Sequence, residues 1–171
     1  MKNDYITFQD RGEPVGYLIT FRSYGTWLHG DKRGSVDRHH RRYGTPLLPT
    51  SLQRETRNRR LLKQSPVSLN SRQRGAVESS IRETCHIRQW CLWTLNIRTN
   101  HVHVVMSSKS RPDAVLSALK ANAKRSMREA GCWNNPLTPW AHGGSKRYLW
   151  TEEELASAIA YVQYDQGMPL S

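Results

Sequence analysis

The stretch His101-Val102-His103-Val104-Val105-Met106 carries the clearest chemical content of this chain. On an extended strand alternate side chains share a face, so His101 and His103 point one way and Val102, Val104 and Met106 the other. Val, Val and Met suit a face packed under helices, which leaves both imidazoles on the open one. They then lie about 7 Å apart by strand geometry, close enough to share a metal ion with inward-leaning rings. Two neutral nitrogens still leave a divalent cation short of a third, preferably anionic, ligand and of open positions for substrate oxygens. Two histidines on a sheet surface would explain the pattern equally well if nothing else converged on them. Far along the chain, Tyr161 and Asp165 stand four residues apart. They share one face of a predicted helix, away from its Leu155, Ile159 and Val162 stripe. A phenol and a carboxylate projecting together from that face could meet the histidine pair across the sheet. Tyr164, three residues beyond Tyr161, is also compatible by phase.

These side chains need a scaffold, and the sequence outlines one. Tyr17 to Arg22 is β-branched and aromatic and predicts a first strand after the turn signal Glu13-Pro14. Asn70 and Gln73 have capping-box spacing and open a helix with Val77, Ile81 and Cys85 on one stripe, ending near Trp90. Leu92 to Ile97 and His101 to Met106, joined by Arg98-Thr99-Asn100, predict a hairpin. Pro112 fits a first helical position, with Val115, Leu119, Ala123 and Met127 inward and a stop at Gly131. Lys146 to Trp150 is a short strand. Thr151 and Glu154 predict a second capping box, opening a helix closed by Gly167 and Pro169. Between Asp31 and Lys63 no helical or strand period holds throughout, Pro46 and Pro49 interrupt the chain, and arginines dominate. The segment 25–65 is therefore expected to be a structureless basic arm or insertion. The predicted fold is α+β: a single domain over 1–171 with a ferredoxin-like split βαββαβ antiparallel sheet. Its helices lie on one face, with a C-terminal tyrosine-bearing helix added.

Composition narrows the partners. The 171 residues carry 26 Lys plus Arg against 14 Asp plus Glu, a formal net charge of +12, which calls for a polyanion. Six Trp and seven Tyr against two Phe supply flat, polar-edged faces on which bases can stack. No apolar run approaches the ~20 residues needed to cross a bilayer, and no signal-like segment follows Met1. The expectation is a cytoplasmic protein without a membrane partner. Cys85, Cys91 and Cys132 are odd in number and lack CxxC spacing, against both a disulfide scaffold and a thiolate zinc site.

Three segments together resemble the HUH single-tyrosine transposases, most closely the REP-associated tyrosine transposases. They are Ile19-Thr-Phe-Arg-Ser-Tyr-Gly-Thr-Trp-Leu-His-Gly-Asp31, Leu92-Trp-Thr-Leu-Asn96 running on through Asn100-His-Val-His103, and Arg147-Tyr-Leu-Trp-Thr-Glu-Glu-Glu154 leading to Tyr161. The resemblance covers Tyr17 to Gly167. It implies a nuclease and strand transferase of single-stranded DNA that works through a 5′-phosphotyrosine link and a free 3′-hydroxyl. It further implies Mg²⁺ or Mn²⁺ held by His101, His103 and a polar residue of the tyrosine helix, with Tyr161 as nucleophile. Relatives commonly carry Gln or Asn where this chain has Asp165, and Gln166 follows at once, so either can be the third ligand. Asp165 is preferred, because a regular helix turns Gln166 toward the core side and a carboxylate suits hard cations. A proline often found before the Asn-His-Val-His element is replaced by Arg98-Thr99. Arg22, Arg41, Arg42, Asn100, Lys120, Lys124, Lys146 and Arg147 are the expected DNA contacts. The substrate would be single-stranded DNA with hairpin or palindromic structure, bound by a monomer or homodimer. The main rival is a non-catalytic RNA- or DNA-binding module using Trp93 on the same sheet, which gives no reason for paired histidines. A two-histidine, one-carboxylate iron oxygenase is a more distant one.

Overall fold

Near-continuous apolar runs in the central strands require cover on both faces of the sheet, and the fold provides it. The computed structural model describes residues 12–28 and 50–166. Four strands, β1 (Gly16–Arg22), β2 (Cys91–Ile97), β3 (His101–Ser107) and β4 (Ser145–Leu149), form one sheet in the order β2-β3-β1-β4. Every neighbouring pair is antiparallel. Among the described residues four helices accompany them: α1 (Leu52–Arg60), α2 (Ser71–Ile87), α3 (Pro112–Glu129) and α4 (Glu152–Tyr164). With α2 and α3 as the crossovers, the arrangement is the expected split βαββαβ, and the fold is α+β of ferredoxin-like type.

Local chemistry explains the helix boundaries. Asn70 Oδ1 accepts from the Gln73 backbone N–H (2.9 Å) while Gln73 Oε1 accepts from the Asn70 N–H (3.0 Å), a complete capping box on α2. Pro112 occupies the first turn of α3, where its missing N–H costs nothing. Gly131 follows that helix at φ +66°, a left-handed conformation suited to glycine. On α4 only half the predicted box forms. Thr151 Oγ1 accepts from Glu154 N–H (3.2 Å), but the Glu154 carboxylate accepts from Trp150 N–H (2.6 Å), one residue earlier than a capping box requires. Gly167 and Pro169 lie outside the described residues.

Two apolar clusters sandwich the sheet. On one side Tyr17, Ile19, Phe21, Val102, Val104 and Met106 pack with Val77, Ile81 and Cys85 of α2 and Val115, Leu119, Ala123 and Met127 of α3. On the other, Leu18, Val105 and Leu149 meet Leu155, Ala158 and Val162 of α4. The face expected to stay open is thus partly roofed by the last helix, which is what carries Tyr161 to the histidines. Among the described residues no helix is long and apolar enough to cross a membrane.

The basic arm requires a correction. Its described part contains a helix, α1, capped by Ser51 Oγ on Arg54 N–H (3.3 Å) and braced by an Arg59–Glu55 ion pair at 2.9 Å. It has no buried residue, so it lacks the apolar stripe by which a helix is read from sequence.

Candidate functional site

Register fixes the site. His101 pairs with Arg22 and His103 with Thr20 on β1, while Asn96 of β2 faces His103 from the other side. Paired residues share a face, so Arg22, Thr20, Asn96 and both imidazoles stand on the side that α4 covers. The ring centroids of His101 and His103 are 4.7 Å apart, closer than flat strand spacing, because the rings lean together at 72°. Tyr161, 41% exposed, brings its ring to 5.7 Å from that of His103. Asn96 Nδ2 donates to Val162 O (3.2 Å) and so ties the tyrosine-bearing turn of α4 to the strand beside His103.

Both rings are held by oxygens on Nδ1. Asn100 Oδ1 lies 2.7 Å from His101 Nδ1, and Thr20 Oγ1 lies 2.7 Å from His103 Nδ1. An amide oxygen only accepts, so His101 Nδ1 bears the proton and Nε2 bears the lone pair. That Nε2 faces Gln166 Oε1 at 3.5 Å. Gln166 is oriented independently, because its Nε2 donates to Tyr161 O (3.3 Å) and turns Oε1 toward the rings. Two acceptors aimed at one another repel unless a cation or a second ring proton lies between them. His103 is 7% exposed, and its pKa is pushed down to about 4. Burial is the main cause, followed by the charges of His101 and Arg22, against a partly offsetting hydrogen bond from Gln166. A neutral imidazole is the state that can ligate a metal.

Two imidazole nitrogens and an amide oxygen therefore converge, a donor set that fits Mg²⁺ or Mn²⁺ with places left for phosphate oxygens. The oxygen that stands beside the histidines is that of Gln166, while the preferred Asp165 lies at the helix end. Regular helix stops at Tyr164, and Asp165 is the exposed C-cap whose N–H returns to Tyr161 O (3.1 Å). Once the chain leaves the helix, Gln166 no longer follows helical phase toward the core. Among the described residues no three His, Cys, Asp or Glu side chains gather closely enough to hold a metal, so Asp165 does not join the histidines.

The expected DNA contacts divide. Arg22 and Arg147 lie on the histidine side of the sheet, Arg147 in register with Leu18, and the Arg22 guanidinium sits 3.5 Å over the Trp27 ring. Lys120, Lys124 and Lys146 lie on the helix-packed side and are engaged in structure. Lys120 Nζ donates to Ala141 O (2.6 Å) and Gly143 O (2.9 Å), Lys124 Nζ to Pro136 O (3.1 Å), and Lys146 pairs with Asp113. Burial also lowers the Lys120 pKa. Asn100 serves His101, and Arg41 and Arg42 lie outside the described residues. Two contributors escaped the sequence reading, Thr20 and Asn96. Both are short polar residues inside apolar strands, and only the register reveals that they flank His103.

No family model matches the sequence, and no curated protein matches it. Among solved structures, the chain is similar to a protein of Deinococcus radiodurans R1 whose assignment as a transposase is itself provisional. Identity is 11%, 98% of each chain is covered, and the TM-score is 0.49.

Proposed function

We propose that the protein cleaves single-stranded DNA and transfers the cut strand, with Tyr161 as nucleophile and a divalent cation as cofactor. The observation that carries this reading is the meeting of Tyr161, His103, His101 and Gln166, drawn from one strand, β3, and from the distant end of α4 and the residue just past its cap. His101 and His103 through their Nε2 atoms, and Gln166 through Oε1, would hold Mg²⁺ or Mn²⁺. When bound, the cation withdraws charge from the phosphate oxygens and aligns the phosphodiester.

The chain's own groups do the rest. Asn100 and Thr20 fix the ring orientations, and Asn96 fixes the turn of α4, so the phenol is held against His103 before substrate arrives. Tyr161 Oη attacks phosphorus and forms a phosphotyrosine bond to the 5′ side as the bond to the 3′ oxygen breaks. The phenol proton passes to solvent at the exposed edge, and the departing oxygen takes one up as a 3′-hydroxyl. Because the phosphodiester is exchanged and not hydrolysed, rejoining needs no nucleotide cofactor. Arg22 and Arg147, on the same face, would neutralise flanking phosphates. A hairpin-bearing single strand, handled by a monomer or homodimer in the cytoplasm, is the proposed setting.

The test is incubation of 3′-labelled single-stranded DNA containing a hairpin with protein and Mn²⁺, read on a denaturing gel and by mass spectrometry. A protein-linked labelled strand mapping to Tyr161, absent from Tyr161→Phe, is expected. Equal adduct from the Phe variant, or no cleavage of any single strand in Mn²⁺ or Mg²⁺, would refute the reading.

A further inference from the structure

α1 presents a surface that the proposed chemistry does not use. At 100° per residue, Gln53, Thr56, Arg57 and Arg60 stand at i, i+3, i+4 and i+7. A packed helix keeps its apolar residues at those positions; here the stripe is amide, hydroxyl and two guanidinium groups. Four arginines face one glutamate over the nine residues, and that glutamate is spent on Arg59. Leu52 and Leu61 flank the stripe, exposed.

The segment just beyond the helix is nevertheless anchored, and at a particular place. There, Lys63 N–H donates to Tyr24 Oη (2.9 Å), Val67 N–H to Tyr24 O (2.8 Å) and Gln64 Nε2 to Thr138 O (2.7 Å). Gly25 lies so close to this segment that a Cβ there would sit 3.1 Å from Pro66 Cα. Tyr24 stands two residues past β1, the intervening Ser23 N–H donates to Asn100 O (2.9 Å), and Leu69 N–H donates to Thr99 O (2.7 Å). The base of α1 is thus tied to the end of the sheet that carries His101 and Arg22.

We propose that α1 enters the major groove of B-form duplex DNA adjoining the single strand at the histidine–tyrosine site, its Gln53, Thr56, Arg57 and Arg60 stripe facing base edges and phosphates. This rests on the reading of the protein as one that acts on DNA, though not on its cleaving it. A helix with side chains, about 10–12 Å across, fits a major groove about 12 Å wide. Arginine pairs with guanine, glutamine with adenine, and threonine with either. The helix has no aromatic residue on which to stack unpaired bases. The deep, narrow major groove of A-form RNA would exclude it. Its length of about 13 Å covers roughly four base-pair steps.

Binding is measured in EDTA, so that chemistry plays no part, by fluorescence anisotropy with a 16-base-pair DNA duplex and the same sequence as duplex RNA. Arg57→Ala/Arg60→Ala is compared with Arg82→Ala/Arg125→Ala, which removes equal charge from α2 and α3. The α1 pair should weaken binding to duplex DNA roughly 10- to 100-fold and flatten the log–log salt slope by about two. The control pair should change affinity by less than about threefold, and wild type should bind the RNA duplex at least ten times more weakly than DNA. Equal losses from both pairs, or RNA bound as tightly as DNA, overturns the proposal. Duplex binding that persists while no Tyr161 adduct forms would defeat the cleavage reading alone. An adduct formed with duplex affinity unaltered by the α1 pair would defeat this one alone.

Discussion

Holding His103 neutral beside His101 and Arg22 sets the native state against the proton. The unfolded chain binds a proton at this position near pH 6.5, whereas the folded chain resists until about 4. Because the folded value is depressed, falling pH favours the unfolded state once it passes 6.5, and the penalty levels off below 4. Linkage between these two values makes the loss roughly 2 kcal/mol between pH 7 and pH 5, and about 3 kcal/mol by pH 4. The cleanest perturbation is His103→Asn, whose side chain places a polar atom where Nδ1 meets Thr20 but does not titrate. Urea unfolding of both proteins at pH 7, 6 and 5 isolates the effect, since any pH-independent cost of the substitution cancels in the difference. Wild type should lose about 2 kcal/mol more than the variant across that window. The Asp113 carboxylate, held below its ordinary value by Lys146, acts only in more acid solution. Parallel losses in the two proteins, or an imidazole resonance of His103 titrating near 6.5, would refute the electrostatic account.

Further outcomes follow from the same geometry. Gln166→Ala should weaken Mn²⁺ binding at least tenfold by calorimetry, while Asp165→Ala stays within about twofold; the reverse order would restore the carboxylate as ligand. Tyr161→Phe should keep stability within about 0.5 kcal/mol, because the ring is part-exposed, while abolishing the DNA adduct. Lys120→Ala should cost about 2 kcal/mol of stability, through lost charge-assisted bonds to Ala141 O and Gly143 O, and leave affinity for single strands unchanged. Gly144→Ala would put a Cβ 2.8 Å from Thr20 O and 3.0 Å from Leu116 Cδ2. It should destabilise by about 1–3 kcal/mol and, by shifting Thr20, weaken Mn²⁺ binding as well.

The fold was largely legible because its signals are local. Alternation in His101–Met106, the Asn70–Gln73 box and Pro112 at a helix start act within a few residues, and the split βαββαβ order follows from them. The pairing of histidines with Tyr161 was legible through strand and helix phase together with the family resemblance. What stayed hidden depended on distant partners or on departures from regularity. Gln166 approaches His101 only because the helix ends at Tyr164. Lys120, Lys124 and Lys146 carry the same charge as any DNA-binding lysine, and only tertiary structure shows them bonded to carbonyls or to Asp113. α1 is held by a cap, an ion pair and its downstream anchor, none of which leaves an apolar period.

Roofing of the sheet by α4 joins two properties that a protein could keep separate. The helix that carries Tyr161, the proposed nucleophile, is also the one that shields Leu18, Val105 and Leu149 from water. A lineage could not discard the proposed cutting activity by shedding that terminal element without uncovering a greasy strip along its central strands. Silencing by point change at Tyr161 leaves the shield intact. Inert descendants of such a chain would therefore be expected to keep the helix and lose only the phenol.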